Sequence, residues 1–143
     1  MIRRDRSSRA SRQGFTLVEL AVVIVIIGVL ASFGVPRFLK SVERSKAAEA
    51  FNYLSAVQSA QERYQSQNGV YASDVANLDI NFPTPKYFTV GTPVAAEDTW
   101  SLTLTRVGAS AGYGAYTVIF TEGGYDATNS TISTLPDINP VGS

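Results

Sequence analysis

Hydrophobic and polar positions fall into three successive patterns along the chain. From Phe15 to Val35 the sequence "FTLVELAVVIVIIGVLASFGV" is apolar at most positions. About 21 such residues, at ~1.5 Å per helical residue, span roughly 30 Å of hydrocarbon. Past Pro36 the apolar positions thin to a stripe. Ala47, Ala50, Leu54, Val57, Gln61 and Tyr64 advance by threes and fours, with Leu39, Val42 and Phe51 beside them. Arg37, Lys40, Glu43, Arg44, Lys46, Glu49, Glu62 and Arg63 form the expected solvated side. The pattern predicts a helix from about Phe15 to Gln67, stopped by Asn68-Gly69 and ~75–80 Å long if unbroken. Residues 69–86 are turn-rich and predict a loop, with a short helical turn over Ser73–Asn77 capped by Ser73. The period then becomes two. Tyr87–Val90 is a short strand; Trp100–Arg106 alternates Trp100, Leu102 and Leu104 against Ser101, Thr103 and Thr105. Ala115–Glu122 alternates Tyr116, Val118 and Phe120 with Ala115, Thr117 and Ile119, and "VGASAGYG" between these strands reads as a long hairpin connection. The expectation is an α+β fold in which three or four antiparallel strands lay one apolar face on the Ala47–Tyr64 stripe. The polar tail from Asp126 reads as an exposed edge or a partly disordered end.

Charge sharpens this division. The 143-residue chain has 12 basic and 12 acidic side chains, yet residues 1–14 hold five arginines against Asp5, a net +4. The remainder carries seven basic and eleven acidic groups, a net −4. A basic tail before an apolar run marks a cytoplasmic end under the positive-inside rule, and nucleic-acid binding by that tail is the weaker rival. Cysteine and histidine are absent. Disulfides, thiolate metal sites, cysteine nucleophiles and imidazole bases are therefore excluded. No phosphate loop, nucleophile elbow or paired-acid motif is present, so no catalytic residue is assigned.

The apolar run is too long for an ordinary secretory signal and lacks a small-residue cleavage site on its far side. A plain anchor fits its length but leaves Glu19 unexplained, because a carboxylate in lipid costs on the order of 2.5–3.5 kcal/mol at the bilayer centre. A snorkelling acid near the headgroups is one reading; an acid that waits for a cation is the other.

The stretch "GFTLVEL", Gly14–Leu20, with its basic leader and following apolar helix, resembles the processing and assembly motif of type IV pilins and type II secretion pseudopilins. The resemblance implies cleavage by a membrane prepilin peptidase between Gly14 and Phe15, removal of leader 1–14, and N-methylation of Phe15. It implies that Glu19 pairs with the new Phe15 ammonium of a neighbouring subunit during assembly. The i, i+4 spacing of Phe15 and Glu19 leaves an intramolecular pair open as well. It further implies a pilin-like lollipop: segment 15–36 as membrane and filament core, 37–67 as amphipathic helix, and 68–143 as connecting loop, sheet and tail. Gly28, Gly34 and Pro36 are the expected helix-break positions. Proline lacks the N–H and crowds the carbonyl of Ser32, and the family reading adds loss of helicity over 28–36 on packing into a filament.

Other features carry less. Many members of the family close the tail with a disulfide, so this chain must rely on hydrogen bonds, packing or a metal. Asp126 and Asp137, with Glu97, Asp98 and Glu122, show no EF-hand-like spacing, and solvated loop acids are the default; no cofactor is assigned. Asn129-Ser130-Thr131 satisfies N-x-S/T, a short and unspecific signal. The basic cluster at the start of the amphipathic segment suits anionic headgroups, acidic neighbouring subunits or simple solvation.

The leading expectation is a structural subunit, a precursor in the bacterial inner membrane that becomes an extracellular homo-oligomeric helical filament. A prepilin peptidase, an assembly ATPase and a platform protein are the implied partners. The alternatives are a periplasmic pseudopilin of type II secretion and a minor tip subunit for adhesion or DNA uptake. The acidic mature chain argues against nonspecific nucleic-acid binding.

Overall fold

A computed structural model describes residues 14–108 and 112–142. The expected leader lies outside the described residues except for Gly14, as does the middle of the connection after Arg106. The architecture is α+β: helix α1 (Leu17–Asn68) and a five-stranded antiparallel sheet. Two compact units divide between Val35 and Pro36.

In the first unit α1 is apolar and its side chains are exposed, from Leu17 at 85% to Val35 at 53%. It is long and apolar enough to cross a membrane. The helical assignment runs unbroken through Gly28, Gly34 and Pro36.

In the second unit the sheet comprises β1 (Phe88–Val90), β2 (Val94–Ala95), β3 (Trp100–Arg106), β4 (Thr117–Thr121) and β5 (Gly124–Tyr125). The strand order is β1-β3-β4-β5, and β2 also pairs with β3. The longest strand, β3, sits centrally because its strict alternation offers Trp100, Leu102 and Leu104 to one face. Opposite them in register lie Phe120 against Leu102 and Val118 against Leu104. Gly124 closes the β4–β5 turn at φ +95°, a backbone state that glycine adopts without penalty.

The stripe of α1 supplies the other half of the core. Ala47, Ala50, Leu54 and Val57 are fully buried. The small alanines admit the sheet close to the helix, while Phe51 fills the space beside them, edge-on to Phe120 at 5.8 Å and 4.9 Å from Tyr125. Each large apolar side chain buried here contributes about 1.5–3 kcal/mol.

Helix α1 runs close to its expected bounds, from Leu17 to Asn68. Four expectations need correction. Among the described residues the sheet has five strands, because two-residue pairings at Val94–Ala95 and Gly124–Tyr125 extend it. The turn after α1 is Val75–Asn77, capped by Asp74 rather than Ser73: the Ala76 amide donates to Asp74 Oδ1 at 2.9 Å. The tail is packed: Ile132 and Ile138 are completely buried and join the core. Glu43 is also completely buried, despite its place among the charged positions of the helix.

Candidate functional site

The segment from Gly14 to Glu19 leads into α1 and holds its first residues. Thr16 and Glu19 bracket the first turn reciprocally. The Thr16 amide donates to Glu19 Oε2 at 2.8 Å, the Thr16 hydroxyl donates to the same oxygen at 3.0 Å, and the Glu19 amide donates to Thr16 Oγ1 at 3.2 Å. This is a capping box, which satisfies amides that a helix start leaves without partners. Its signature, Thr-x-x-Glu before an apolar run, stands in the sequence. In the uncut chain Phe15 N is a peptide amide, so Glu19 has no ammonium at that position to meet; its carboxylate is engaged by Thr16. Phe15 is 92% exposed, and a Cβ added at Gly14 would meet nothing within 4 Å. The Gly14–Phe15 bond is thus open to an enzyme.

From Leu17 to Val35 the exposed face continues without charge after Glu19. Ser32 donates back to the Val29 carbonyl at 2.6 Å, while Gly28 and Gly34 leave open space beside the helix. Pro36 supplies no amide to the carbonyl four residues earlier, so this stretch carries fewer hydrogen bonds than the helix around it.

The second unit is locked by a buried polar cluster that the helical pattern did not disclose. Glu43 Oε1 and Oε2 accept from Arg106 Nε at 2.5 Å and Nη2 at 3.0 Å, a fork across the helix–sheet interface. The Tyr116 hydroxyl donates to Glu43 Oε1 at 2.9 Å, and Lys46 lies 3.6 Å from Oε2. Arg106 Nη1 donates to the carbonyls of Tyr87 and Val107. Burial first, then the hydrogen bond to Glu43, pushes the Tyr116 hydroxyl pKa up; the bond to Glu43 does the same for Arg106. Glu43, Arg106 and the Tyr116 ring that joins them are all buried. The one sequence signal for the cluster is Arg106 at an in-facing position of β3, where a lone cation needs an anion.

The tail is closed by hydroxyl groups. The amides of Thr117 and Ile119 donate to Thr131 Oγ1 at 2.7 Å and Ser130 Oγ at 2.8 Å. Thr131 returns its own amide to Thr117 Oγ1 at 3.2 Å. Asp126 shapes the approach, accepting from the amides of Thr128 and Asn129 and from the Asn129 side chain at 2.6 Å. Asn129 of the N-x-S/T match is exposed, but its amide group is engaged in that turn. Asp137 takes Lys40 Nζ at 2.7 Å and ties the tail to α1. Asp126, Asp137, Glu97, Asp98 and Glu122 are not brought into one site: among the described residues no three acids are grouped to hold a metal.

With this geometry in place, comparison with known proteins gives two family models. Residues 36–117 match one described as type IV minor pilin ComP, DNA uptake sequence receptor. Residues 9–35 match one described as the prokaryotic N-terminal methylation motif. The chain is 43% identical over 69 residues to the fimbrial protein EcpC of Eikenella corrodens, covering 48% of this chain and 45% of that one. It is 46% identical over 70 residues to the type IV major pilin protein PilA of Myxococcus xanthus, covering 49% and 31%. Over 72 residues it is 39% identical to the type II secretion system core protein G of Vibrio cholerae, covering 50% and 49%. The chain thus spans between about a third and a half of the length of these relatives.

Proposed function

Because the chain belongs to the family of the type IV minor pilin ComP, we propose that it is a structural subunit of a type IV pilus-like filament, matured by a prepilin peptidase and polymerised through the first half of α1. The observation that carries this reading is the pairing of an accessible Gly14–Phe15 bond with an apolar helix whose whole length from Leu17 to Val35 is uncovered. A helix of that kind needs lipid first and neighbouring copies afterwards. Cleavage would leave Phe15 as a methylated ammonium, and Glu19, one turn away, would then have a cation to meet across the subunit boundary. The stretch with Gly28, Gly34 and Pro36 would give way there, since Pro36 supplies no amide to the helix ladder. The assembly ATPase and platform protein belong to the same proposal, as does passage from the inner membrane to an extracellular pilus. The relatives named above are structural subunits, and no catalytic constellation is needed for this role.

Intact mass decides the reading. A species starting at methylated Phe15 in material sheared from cells is the expected result. The same species confined to membranes would move the assignment to a pseudopilin, and an uncleaved chain would reduce it to a membrane anchor.

A second reading follows from the words of the matched family, which name a DNA uptake receptor. From Pro36 onward the chain has seven basic against ten acidic residues. Affinity built on phosphate contacts alone is therefore weak, and DNA capture would have to rest on a local face. Retention of a duplex by the purified mature protein, with sequence preference at 0.15 M salt, would establish it; no retention at low salt would remove it.

A further inference from the structure

The second unit sorts its exposed charge along the direction of α1. Arg37 and Arg44 lie at the start of the unit's helix, and Lys86 joins them, because Phe88 on β1 pairs with Arg106 on β3, which reaches Glu43. These three cations are exposed and make no ion pair among the described residues, whereas Lys40 is answered by Asp137 and Arg106 by Glu43. The half-buried Glu49 lies within this end and accepts the Lys86 amide at 3.2 Å, which leaves the end net basic. At the other end stand Glu62, Glu97 and Asp98. Strand β3 begins there, with Trp100 6.5 Å from Tyr71 just past the end of α1. The Ala96 amide donates to the Thr99 carbonyl at 2.8 Å and holds Glu97 and Asp98 in the turn before β3. These acids are likewise exposed and make no ion pair among the described residues; the cation beside them, Arg63, is taken by Asp79.

Arg44 and Glu62 are separated by ~27 Å of helix, more than three times the screening length of ~8 Å at physiological salt. The two ends therefore do not neutralise one another within a copy. We propose that the basic end, at Arg37, Arg44 and Lys86, docks on the acidic end, at Glu62, Glu97 and Asp98, of a second copy of this chain. The inference rests on the filament reading above and adds to its Glu19–Phe15 contact a second one, between the second units, that holds the axial offset between copies. Copies assembled through their N-terminal helices point the same way. At equal height, like ends would face each other and repel. An axial shift that brings cations to acids exchanges that repulsion for attraction within one screening length. Between the apolar helices only the Glu19–Phe15 contact of the filament reading prefers a register, and the charged ends add a second one at the level of the second unit.

The test is a charge swap in the full chain, read as filament sheared from cells, with the amount of mature subunit in the membrane as the folding control. The base variant is Arg44→Glu with Lys86→Glu, the top variant is Glu97→Lys with Asp98→Lys, and the swap carries all four. Each pair alone should lower filament about tenfold or more, and the swap should return it to within a few-fold of wild type. If a reversal also lowers the membrane pool, the neutral Arg44→Gln, Lys86→Gln and Glu97→Gln, Asp98→Asn pairs replace it, each expected to give a smaller loss that 0.5 M salt abolishes (~4 Å screening length). Wild-type yield from both single pairs overturns the docking and leaves the filament reading standing. Loss from the base pair alone points to anionic headgroups and overturns it too, as does a swap worse than either pair. A wild-type chain that is mature in membranes yet never sheared overturns the filament reading itself, and the docking with it.

Discussion

Glu43 on the helix and Arg106 on the central strand meet at 2.5 Å with their side chains 0% and 1% exposed. Tyr116 and two backbone carbonyls take the remaining valences. The pair thereby fixes how α1 sits on the sheet. Its net worth against an apolar replacement is small, but the loss of one member is not.

Replacing Glu43 by Ala should cost about 3–5 kcal/mol, because the Arg106 guanidinium would stay buried without its anion. Arg106→Met should cost a similar amount. The double variant Glu43→Leu, Arg106→Met should recover much of either loss. Chemical unfolding of the full chain in detergent would measure this, and an additive double variant would refute the coupling.

Gln61 works in the same way on a smaller scale. Its side chain donates to the Ala72 carbonyl at 2.9 Å and accepts the Ala72 amide at 2.8 Å, which pins the chain as it leaves α1. Gln61→Leu should therefore cost about 1–3 kcal/mol for each buried backbone group left alone. Amide exchange at Ala72 should accelerate well beyond that at Leu54; equal protection in wild type and variant would contradict the pin.

Patterning made the apolar half of α1, the buried stripe from Ala47 to Gln61 and both long strands legible, because periods of 3.6 and 2 are imposed by one-sided burial. It failed where a polar residue is buried with a partner distant in sequence. Glu43 reads as solvated until Arg106, 63 residues away, is placed against it. The tail failed for a related reason. Ser130 and Thr131 are polar, yet their hydroxyls face β4 and carry Ile132 inward, a use that composition does not reveal. At the candidate site the motif Gly14–Leu20 is plain, and the same residues carry the Thr16–Glu19 box, whose carboxylate serves the helix start before any cation is present.

Tail closure should be sensitive to acid. Hydrogen bonds from the Asn129 side chain first, then from the Asn129 and Thr128 amides, hold the Asp126 carboxyl below its ordinary value of 3.8. A depressed folded value means that the contribution is fully present above about pH 4 and is lost as pH falls through the folded value. Amide exchange at Thr128 and Asn129 should then rise relative to Leu104, and Asp126→Asn should blunt the pH dependence. Ser130→Ala should separately cost about 1 kcal/mol by removing the acceptor of the partly buried Ile119 amide.

Processing can be separated from folding at Gly14. Its surroundings are empty, so Gly14→Val should leave the chain as stable as wild type. A block in processing would therefore come from the peptidase's demand for a small residue. Intact mass should show the uncut precursor accumulating in membranes; a mature species of normal mass would remove the cleavage assignment.

Glu19 has two separable duties, and two variants divide them. Thr16→Ala keeps the carboxylate but removes both hydroxyl contacts of the capping box, a loss of about 0.5–2 kcal/mol at the helix start. Glu19→Gln keeps a side chain that can accept from the Thr16 amide but removes the charge, which the capping geometry tolerates. If Glu19 serves assembly by meeting a neighbour's Phe15 ammonium, Glu19→Gln should abolish sheared filament while leaving cleavage intact, and Thr16→Ala should reduce it only a few-fold. If capping is its whole use, the order reverses and Glu19→Gln assembles nearly as wild type. Filament yield normalised to mature subunit in the membrane distinguishes the two, because neither variant alters the Gly14–Phe15 bond.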